Sequence, residues 1–314
     1  MRTIYLSELQ EPLEPCVATV GFFDGVHRGH QYLISQMKAV AAEACLKTTV
    51  VTFATHPRQV LDPSWQPQLL TTLSEKTALL SELGIDNLVV LEFDRLMSLL
   101  TAREFMVLLN HRVGTRVLIT GYDNRFGHKS NECFDDYVRY GTDIGMRVVL
   151  GKPFLLNDLS VSSSKVRHFL AHGDVEMAAS CLGRPYVITG CVVEGRQVGR
   201  QLGFPTANIA CPAAALKLIP APGVYGVRVK LQERAELLPG MMNIGVRPTF
   251  ADGADSGISE QTLEVHIFDY DGDLYGQEMQ VTFILRLRAE QKFDTQEQLV
   301  AQLQSDASDI RKRI

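Results

Sequence analysis

Apolar residues in the first half of the chain alternate between two spacings. Unbroken runs rich in β-branched residues occupy 16–22, 48–53, 87–93, 115–120 and 146–151, and each has the length and composition of a buried strand. The stretches between them repeat at helical spacing and carry helix boundaries. Thr72-Leu-Ser-Glu75 and Thr101-Ala-Arg-Glu104 read as capping boxes, in which the Thr bonds the turn above and the Glu reaches back, and Gly84 stops the first of these helices. Five strand–helix units in a row predict an α/β domain with a parallel sheet covered on both faces, because crossovers between parallel strands are right-handed. Ligands in such sheets bind beyond the carboxyl ends of the strands.

The pattern changes at Cys181-Leu-Gly-Arg-Pro-Tyr186. A helical segment stops at Gly183, and apolar and polar residues then alternate singly over 187–193 and 224–231, as in an antiparallel sheet with one buried face. Further strands are expected at 236–245, 261–269 and 278–287, and a single helix at 295–304. Glycine and proline punctuate the intervals, so the second half reads as a small β-barrel. Such a change of class predicts two domains, residues 1–182 and 183–314.

Composition agrees. A chain of 314 residues, 46% hydrophobic, can bury a core large enough for two domains. A net charge of −5 with interspersed signs offers no basic footprint for nucleic acid. The N-terminus, MRTIYLSELQEPLE, has acids where a signal peptide needs an apolar core, and no run approaches the length of a membrane span. Six cysteines show no C-x-x-C pair and no metal spacing, the usage of reduced structural thiols. The expectation is a cytoplasmic protein, monomer or weak oligomer, without nucleic-acid or membrane partners.

In the first half the chemistry gathers at residues 18–30, ATVGFFDGVHRGH. The segment reads as a strand, a tight turn and a helix starting near Arg28. His27 and His30 then lie about one turn apart at a helix N-terminus, whose unpaired N–H groups and dipole attract phosphate. Gly25 and Gly29 lack a Cβ and let a ligand approach the backbone. An H-x-x-H pair alone is usually two surface histidines. Directly after a strand, across a glycine-bearing turn, it suits attack on a phosphate with both imidazoles donating to the developing charge.

Three further clusters follow later strands. His56-Pro-Arg58 can face a phosphate or a ring from a loop stiffened by Pro57, or be an ordinary loop with a basic residue. Gly121-Tyr-Asp-Asn-Arg-Phe-Gly127 sets Asp123, Asn124, Arg125 and Phe126 between glycines, suited to stack on a flat ligand and bond its edge. Val161-Ser-Ser-Ser-Lys-Val-Arg167 should open a helix. Any one of its serines is most commonly an N-cap, but in succession, with Lys165 and Arg167 a turn away, they make a phosphate site.

The second half concentrates its chemistry in Gly195-Arg-Gln-Val-Gly-Arg-Gln-Leu-Gly-Phe-Pro-Thr-Ala-Asn208. Three glycines at fourfold spacing permit close backbone approach to phosphates, although no GK[ST] follows to make a Walker A sequence. Pro205 fixes the approach to Thr206, whose hydroxyl suits Mg²⁺, and the Asn208 carbonyl can join it. Composition alone slightly favours an unliganded glycine-rich barrel turn. In TLEVHIFD, Leu263, Val265 and Ile267 face one side while Glu264 and His266 face the other, so Glu264 is held rigidly where a base for an alcohol could stand.

GFFDGVHRGH resembles the HxGH signature of the nucleotidyltransferase superfamily, in the form found in bacterial bifunctional riboflavin kinase/FMN adenylyltransferases, the FAD synthetases. GYDNRFG is similar to that family's GxDFRFG loop, VSSSKVR to its ISSTxIR motif and GRQLGFPTAN to the PTAN motif of riboflavin kinases. The pattern continues through Pro222-Gly-Val-Tyr225, Asn243-Ile-Gly-Val-Arg-Pro-Thr-Phe250, Glu264-Val-His-Ile-Phe-Asp269, Asp273-Leu-Tyr-Gly276 and Leu287-Arg-Ala-Glu-Gln-Lys-Phe293. There are departures: Asn124 stands where many members have an aromatic residue, and Ser130 and Glu132 replace an arginine and a glycine.

The resemblance implies a Rossmann-like nucleotidyltransferase domain followed by an antiparallel β-barrel riboflavin kinase domain. Riboflavin, FMN, FAD and ATP are its implied partners, with Mg²⁺ as cofactor and ATP as co-substrate. It assigns ATP in the first domain to Gly21, Phe22, Asp24, Gly29, Ser163, Ser164 and Arg167, catalysis to His27 and His30, and the flavin to His56, Pro57, Asp123, Asn124, Arg125 and Phe126. In the barrel it assigns ATP to Gly195, Gly199, Gly203 and Thr206, metal to Thr206 and Asn208, the base to Glu264 and the flavin to Arg288. Two rivals stay open. Another adenylyl- or cytidylyltransferase would fit the first half alone, and a flavin-binding sensor could keep the fold after losing the chemistry.

Overall fold

The computed structural model describes the chain except residues 123, 128–131, 196–198, 200–201, 212–216, 235 and 252–253, and only the backbone of 247–251 and 254–260. Two compact units divide it, Met1–Ser163 and Ser164–Ile314.

The first unit is built on six parallel strands, β1 (Arg2–Tyr5), β2 (Cys16–Val20), β3 (Lys47–Phe53), β4 (Asn87–Leu91), β5 (Thr115–Thr120) and β6 (Arg147–Leu150), in the order β1-β4-β3-β2-β5-β6. Five match the expected runs to within a few residues. The edge strand β1 escaped because only Ile4 of its four residues is buried. Helices α1 (Arg28–Ala44), α2 (Pro57–Leu61), α3 (Leu73–Glu82), α4 (Arg95–Ser98), α5 (Ala102–Arg112) and α6 (Phe134–Asp143) connect the strands. Both capping boxes form, at Thr72/Glu75 and Thr101/Glu104. Strand β2 sends Cys16, Ala18 and Val20 into one apolar layer with α5, and Val17 into the other with α1 and α3, which is why its run is unbroken. The chain leaves β2 toward β3 and β4, then returns to its other side as β5. That reversal puts the open crevice of the sheet at the carboxyl ends of β2 and β5.

After a small hairpin, β7 (Leu155–Leu156) with β8 (Leu159–Ser160), come helices α7 (Ser163–Ala171) and α8 (Val175–Leu182), which closes at Gly183 in the left-handed conformation. From Ser164 onward these helices belong to the second unit, ahead of the boundary expected at 182/183. Their anchors are explicit: Leu170 O accepts the Ala221 N–H, and Arg286 donates to His172 O.

Strands β9 (Val187–Val193), β10 (Ala207–Ala210), β11 (Gly223–Leu231), β12 (Leu237–Ala251), β13 (Ala254–Ile267) and β14 (Glu278–Arg288) close an antiparallel barrel in the order β10-β13-β12-β11-β14-β9. Its core is aliphatic, with Tyr225 and Phe283 edge-to-face at 5.3 Å. Helix α9 (Gln296–Arg313) runs further than expected, because its charged second half still turns Asp306 and Ile310 inward. Ile310 joins Val224, Met241 and Phe268 in a cluster on the outer wall of the barrel.

Candidate functional site

In the first unit a 3-10 turn, Asp24–Val26, links β2 to α1, which begins at Arg28. Phe23 (φ 53°) and Val26 (φ 39°) adopt left-handed backbone although neither is glycine. Such strain persists where the surroundings over-determine it, and here they do. The buried Asp24 carboxylate accepts from the N–H groups of Leu70 and Thr71, 3.0 Å each, and from the Thr71 hydroxyl. Thr71 Oγ1 accepts the Gly25 N–H at 2.9 Å. Ser163 Oγ donates to the Asp24 carbonyl at 2.9 Å, and Thr52 Oγ1 and Lys76 Nζ donate to the Phe22 carbonyl. The Asp24 carboxylate thus fixes the shape of the turn.

His27 is the N-cap of α1. Its Nδ1 accepts the His30 backbone N–H at 3.3 Å, so the ring proton sits on Nε2. The His30 ring stacks on it, centroids 3.6 Å apart and planes 18° from parallel, with Phe23 edge-on at 5.0 Å. Gly29 leaves room for this packing: a Cβ there would stand 3.0 Å from the His27 ring and 3.1 Å from the Val161 carbonyl, so the ring would have to shift. Burial, then the neighbouring His27 and Lys76, hold the His30 imidazole well below its ordinary pKa. Its Nδ1 is buried without a hydrogen-bond partner. The result is a helix start that offers ring N–H donors, with His30 neutral, to an anion.

The neighbouring loops divide unequally. His56 caps α2, with Pro57 at the first helical position, and its ring lies 4.6 Å from Phe22 and 4.7 Å from Trp65. Asn124 donates to the Val20 carbonyl and pins its loop to the end of β2. Phe126 turns inward, stacked on Tyr137 at 4.4 Å, while Tyr122 (49% exposed) is the outward aromatic. Arg125 is exposed, and Asp123 and Ser130 lie outside the described residues. A cavity of about 570 Å³ that sequence reasoning missed is lined by Leu61, Phe93, Met97, Leu99 and Gly127. Ser164 and Arg167 follow Ser163 on α7, in the second unit.

In the barrel, burial of Leu263, Val265 and Ile267 puts Glu264 and His266 on the outer wall. Register then sets a polar row: Asn208 on β10 and Asn243 on β12 both pair with Glu264 on β13, so the three side chains share one face. Glu264, Asn243 and Thr206 border a cavity of about 680 Å³ together with Gly199, His266 and Arg288. A second, of about 560 Å³, lies on the other side of Thr206 against Tyr270, Asp273 and Tyr275.

Two of the three spaced glycines have a local reason. A Cβ at Gly195 would collide with the Asn208 amide, and one at Gly199 with the Phe204 carbonyl and, at 3.2 Å, the Thr206 hydroxyl. Gly203, at φ 80°, faces open space. His266 Nδ1 bonds Pro205 O at 2.8 Å and holds the segment that leads into Thr206. Arg288 borders the cavity with its donors committed, Nε and Nη2 to Asp306 and Nη1 to Ala289 O. Asn243 could have been found by following alternation across neighbouring strands. Lys76 had a fainter signal, a charge at an apolar position between Leu73 and Leu80.

Comparison with known proteins supplies the context. Residues 9–165 match the family model described as FAD synthetase, and 182–314 the one described as riboflavin kinase. The bifunctional riboflavin kinase/FMN adenylyltransferase of Escherichia coli K12 is 38% identical over 95% of this chain and 92% of its own length. Those of Pseudomonas fluorescens and Bacillus subtilis are 36% and 31% identical, each over 98% of this chain and 95% and 96% of their own. A crystal structure described as a macrolide-efflux protein from Streptococcus pneumoniae superposes with a TM-score of 0.88 at 30% identity, covering 99% of both chains. Among the described residues, no helix is long and apolar enough to cross a membrane. With both halves matched in order and relatives above 30% identity over nearly the whole length, the chain belongs to the family of bifunctional riboflavin kinase/FMN adenylyltransferases.

Proposed function

We propose that the chain makes FAD from riboflavin in two steps, one at each site, and that the residues described above carry them. In the barrel, the 5′-hydroxyl of riboflavin gives its proton to Glu264 and attacks the γ-phosphorus of ATP; FMN forms and ADP leaves. The two cavities that meet at Thr206 support this arrangement, since an alcohol and a nucleotide must approach one phosphorus from opposite sides. Glu264 stands on the alcohol side, on a strand that cannot shift without breaking its register.

The oxygens of Thr206 and Asn208 are the groups that would hold Mg²⁺. They are neutral, and among the described residues no cluster of three or more His, Cys, Asp or Glu could hold a metal. That donor set fits a hard cation arriving with its polyphosphate. When bound, Mg²⁺ neutralises charge on the phosphoryl group in transfer.

In the first unit, an FMN phosphate oxygen attacks the α-phosphorus of a second ATP; the new P–O bond gives FAD and pyrophosphate leaves. His27 donates through Nε2 and His30 as a neutral imidazole, so charge appears on the phosphate without first being cancelled in the ground state. Ser163, Ser164 and Arg167, at the start of α7, take the pyrophosphate. The cavity beside Gly127, lined by Leu61, Phe93, Met97 and Leu99, takes the flavin ring. Residues 1–182 carry this reaction and 183–314 the kinase, in a cytoplasmic monomer or weak oligomer; six free cysteines fit a reducing compartment.

The observation that carries the reading is the presence in one chain of a stacked imidazole pair at a helix start and a carboxylate in register with Asn208. Incubation of the pure protein with riboflavin, ATP and Mg²⁺, with separation of the flavins over time, tests it. FMN followed by FAD is expected, whereas a flavin that binds and stays unconverted points to the sensor.

A further inference from the structure

Lys76 is a charged residue inside the first unit, 3% exposed. Its ammonium spends three donors on neutral oxygens: the Phe22 carbonyl at 2.9 Å, Thr52 Oγ1 at 3.1 Å and the Phe53 carbonyl at 3.2 Å. It also lies 4.2 Å from the centre of the Phe22 ring. Those oxygens belong to the chain leaving β2 and β3, the two loops that carry His27, His30 and His56. The adjoining residues Leu70 and Thr71 grip the same turn through Asp24 and Gly25.

A neutral amide could make bonds to such oxygens. Burying an ammonium for the purpose costs several kcal/mol, and here burial pulls its pKa down to about 8 despite the nearby Asp24. The charge is therefore in excess of what the hydrogen bonds need. It sits behind a turn whose front face, on the reading above, receives a polyphosphate, and across a poorly screened interior a fixed cation acts at that distance.

We propose that Lys76 is a positioning residue for adenylyl transfer: its buried ammonium holds the turn that presents His27 and His30, and its charge contributes to the field there. The proposal rests on the functional reading of the first unit. Three substitutions separate the roles. Lys76→Gln keeps hydrogen-bond donors without charge, Lys76→Met removes both, and Lys76→Arg restores charge. FAD formation from FMN and ATP, giving kcat and the KM for ATP, is measured beside riboflavin phosphorylation on the same preparations. Trp65, the only tryptophan, packs against His56 and reports native packing of that loop.

Lys76→Gln is expected to keep native Trp65 emission and riboflavin phosphorylation while kcat for adenylyl transfer falls about tenfold, more than KM changes. Lys76→Met should fall further, and Lys76→Arg should recover part of the loss. Wild-type kcat in Lys76→Gln, or no recovery in Lys76→Arg, overturns the role of charge. Loss of native emission in Lys76→Gln makes Lys76 a folding residue and overturns it as well. His30→Ala, run alongside, separates this failure from that of the reading: a wild type that makes no FAD sinks both, whereas one that does, with His30→Ala inactive and Lys76→Gln unaffected, sinks only the proposal.

Discussion

The turn after β2 and the outer wall of the barrel both carry clustered polar groups, yet they are held by different means. In the turn, strained backbone at Phe23 and Val26 is clamped by side chains from Thr52, Thr71, Lys76 and Ser163. On the barrel, Asn208, Glu264 and Asn243 fall into line through strand register alone. The first site depends on many single contacts from remote segments, and any one can misplace it. The second depends on a ladder of backbone bonds that no side-chain change on its face removes. Hence the turn should be sensitive to substitutions beneath it, and the barrel site mainly to its own residues.

The largest effects test whether the two are independent. Glu264→Gln should lower FMN formation by about 10²-fold or more while FAD formation from supplied FMN continues, and His30→Ala should do the reverse. Separate assays with riboflavin and with FMN read both; loss of both activities in a folded variant would contradict two sites.

A stability test follows. Arg288 and Asp306, 16% and 3% exposed at their side chains, bond at 2.6 Å between β14 and α9. Asp306→Ala leaves the guanidinium buried and uncompensated and should cost about 3–5 kcal/mol. Chemical denaturation with far-UV circular dichroism should show a destabilised transition for the barrel, and Trp65 emission should follow a separate, unmoved transition if the first unit unfolds alone.

Lys76 gives a pH dependence of opposite location. Its folded pKa, about 8, lies below the ordinary 10.5, so between those values the unfolded chain binds more protons and stability rises with pH. Relative to Lys76→Met, the wild type should gain up to about 3 kcal/mol between pH 8 and 10.5, read by Trp65 emission in urea. A flat difference would contradict a buried ammonium. For His30 the depressed pKa means that the unfolded chain takes up the extra proton below about pH 6.5, so this group weakens the first unit as pH falls.

The smallest change is a methyl group. Gly29→Ala places carbon against the His27 ring and should slow adenylyl transfer about tenfold without touching phosphorylation, whereas Gly199→Ala, crowding Thr206, should do the opposite.

What could be read in advance follows the same division. Alternation along TLEVHIFD places Glu264 and His266 correctly because strand geometry has a fixed period. The start of α1 at Arg28 and both capping boxes are equally local. The clamp on the turn was barely legible, since Lys76 lies about 50 residues from the histidines it supports and its one local signal is a charge at an apolar position of its helix. Nor could the 121–127 loop show which aromatic faces outward: Phe126 goes to Tyr137 and Tyr122 to solvent. The spacing of Gly195 and Gly199 could not show that Asn208, Phe204 and Thr206 crowd these two positions, since those contacts depend on how the loop folds back.

The most direct test of two separate sites mixes two damaged proteins. Glu264→Gln and His30→Ala are each given riboflavin, ATP and Mg²⁺ alone, then together in one tube. Neither should make appreciable FAD alone, and the mixture should, because FMN released by the His30 variant reaches the intact first unit of the other. A mixture that accumulates FMN and no FAD, with the Glu264 variant still converting supplied FMN, would contradict free passage between sites. Failure of both single activities would contradict the separation itself.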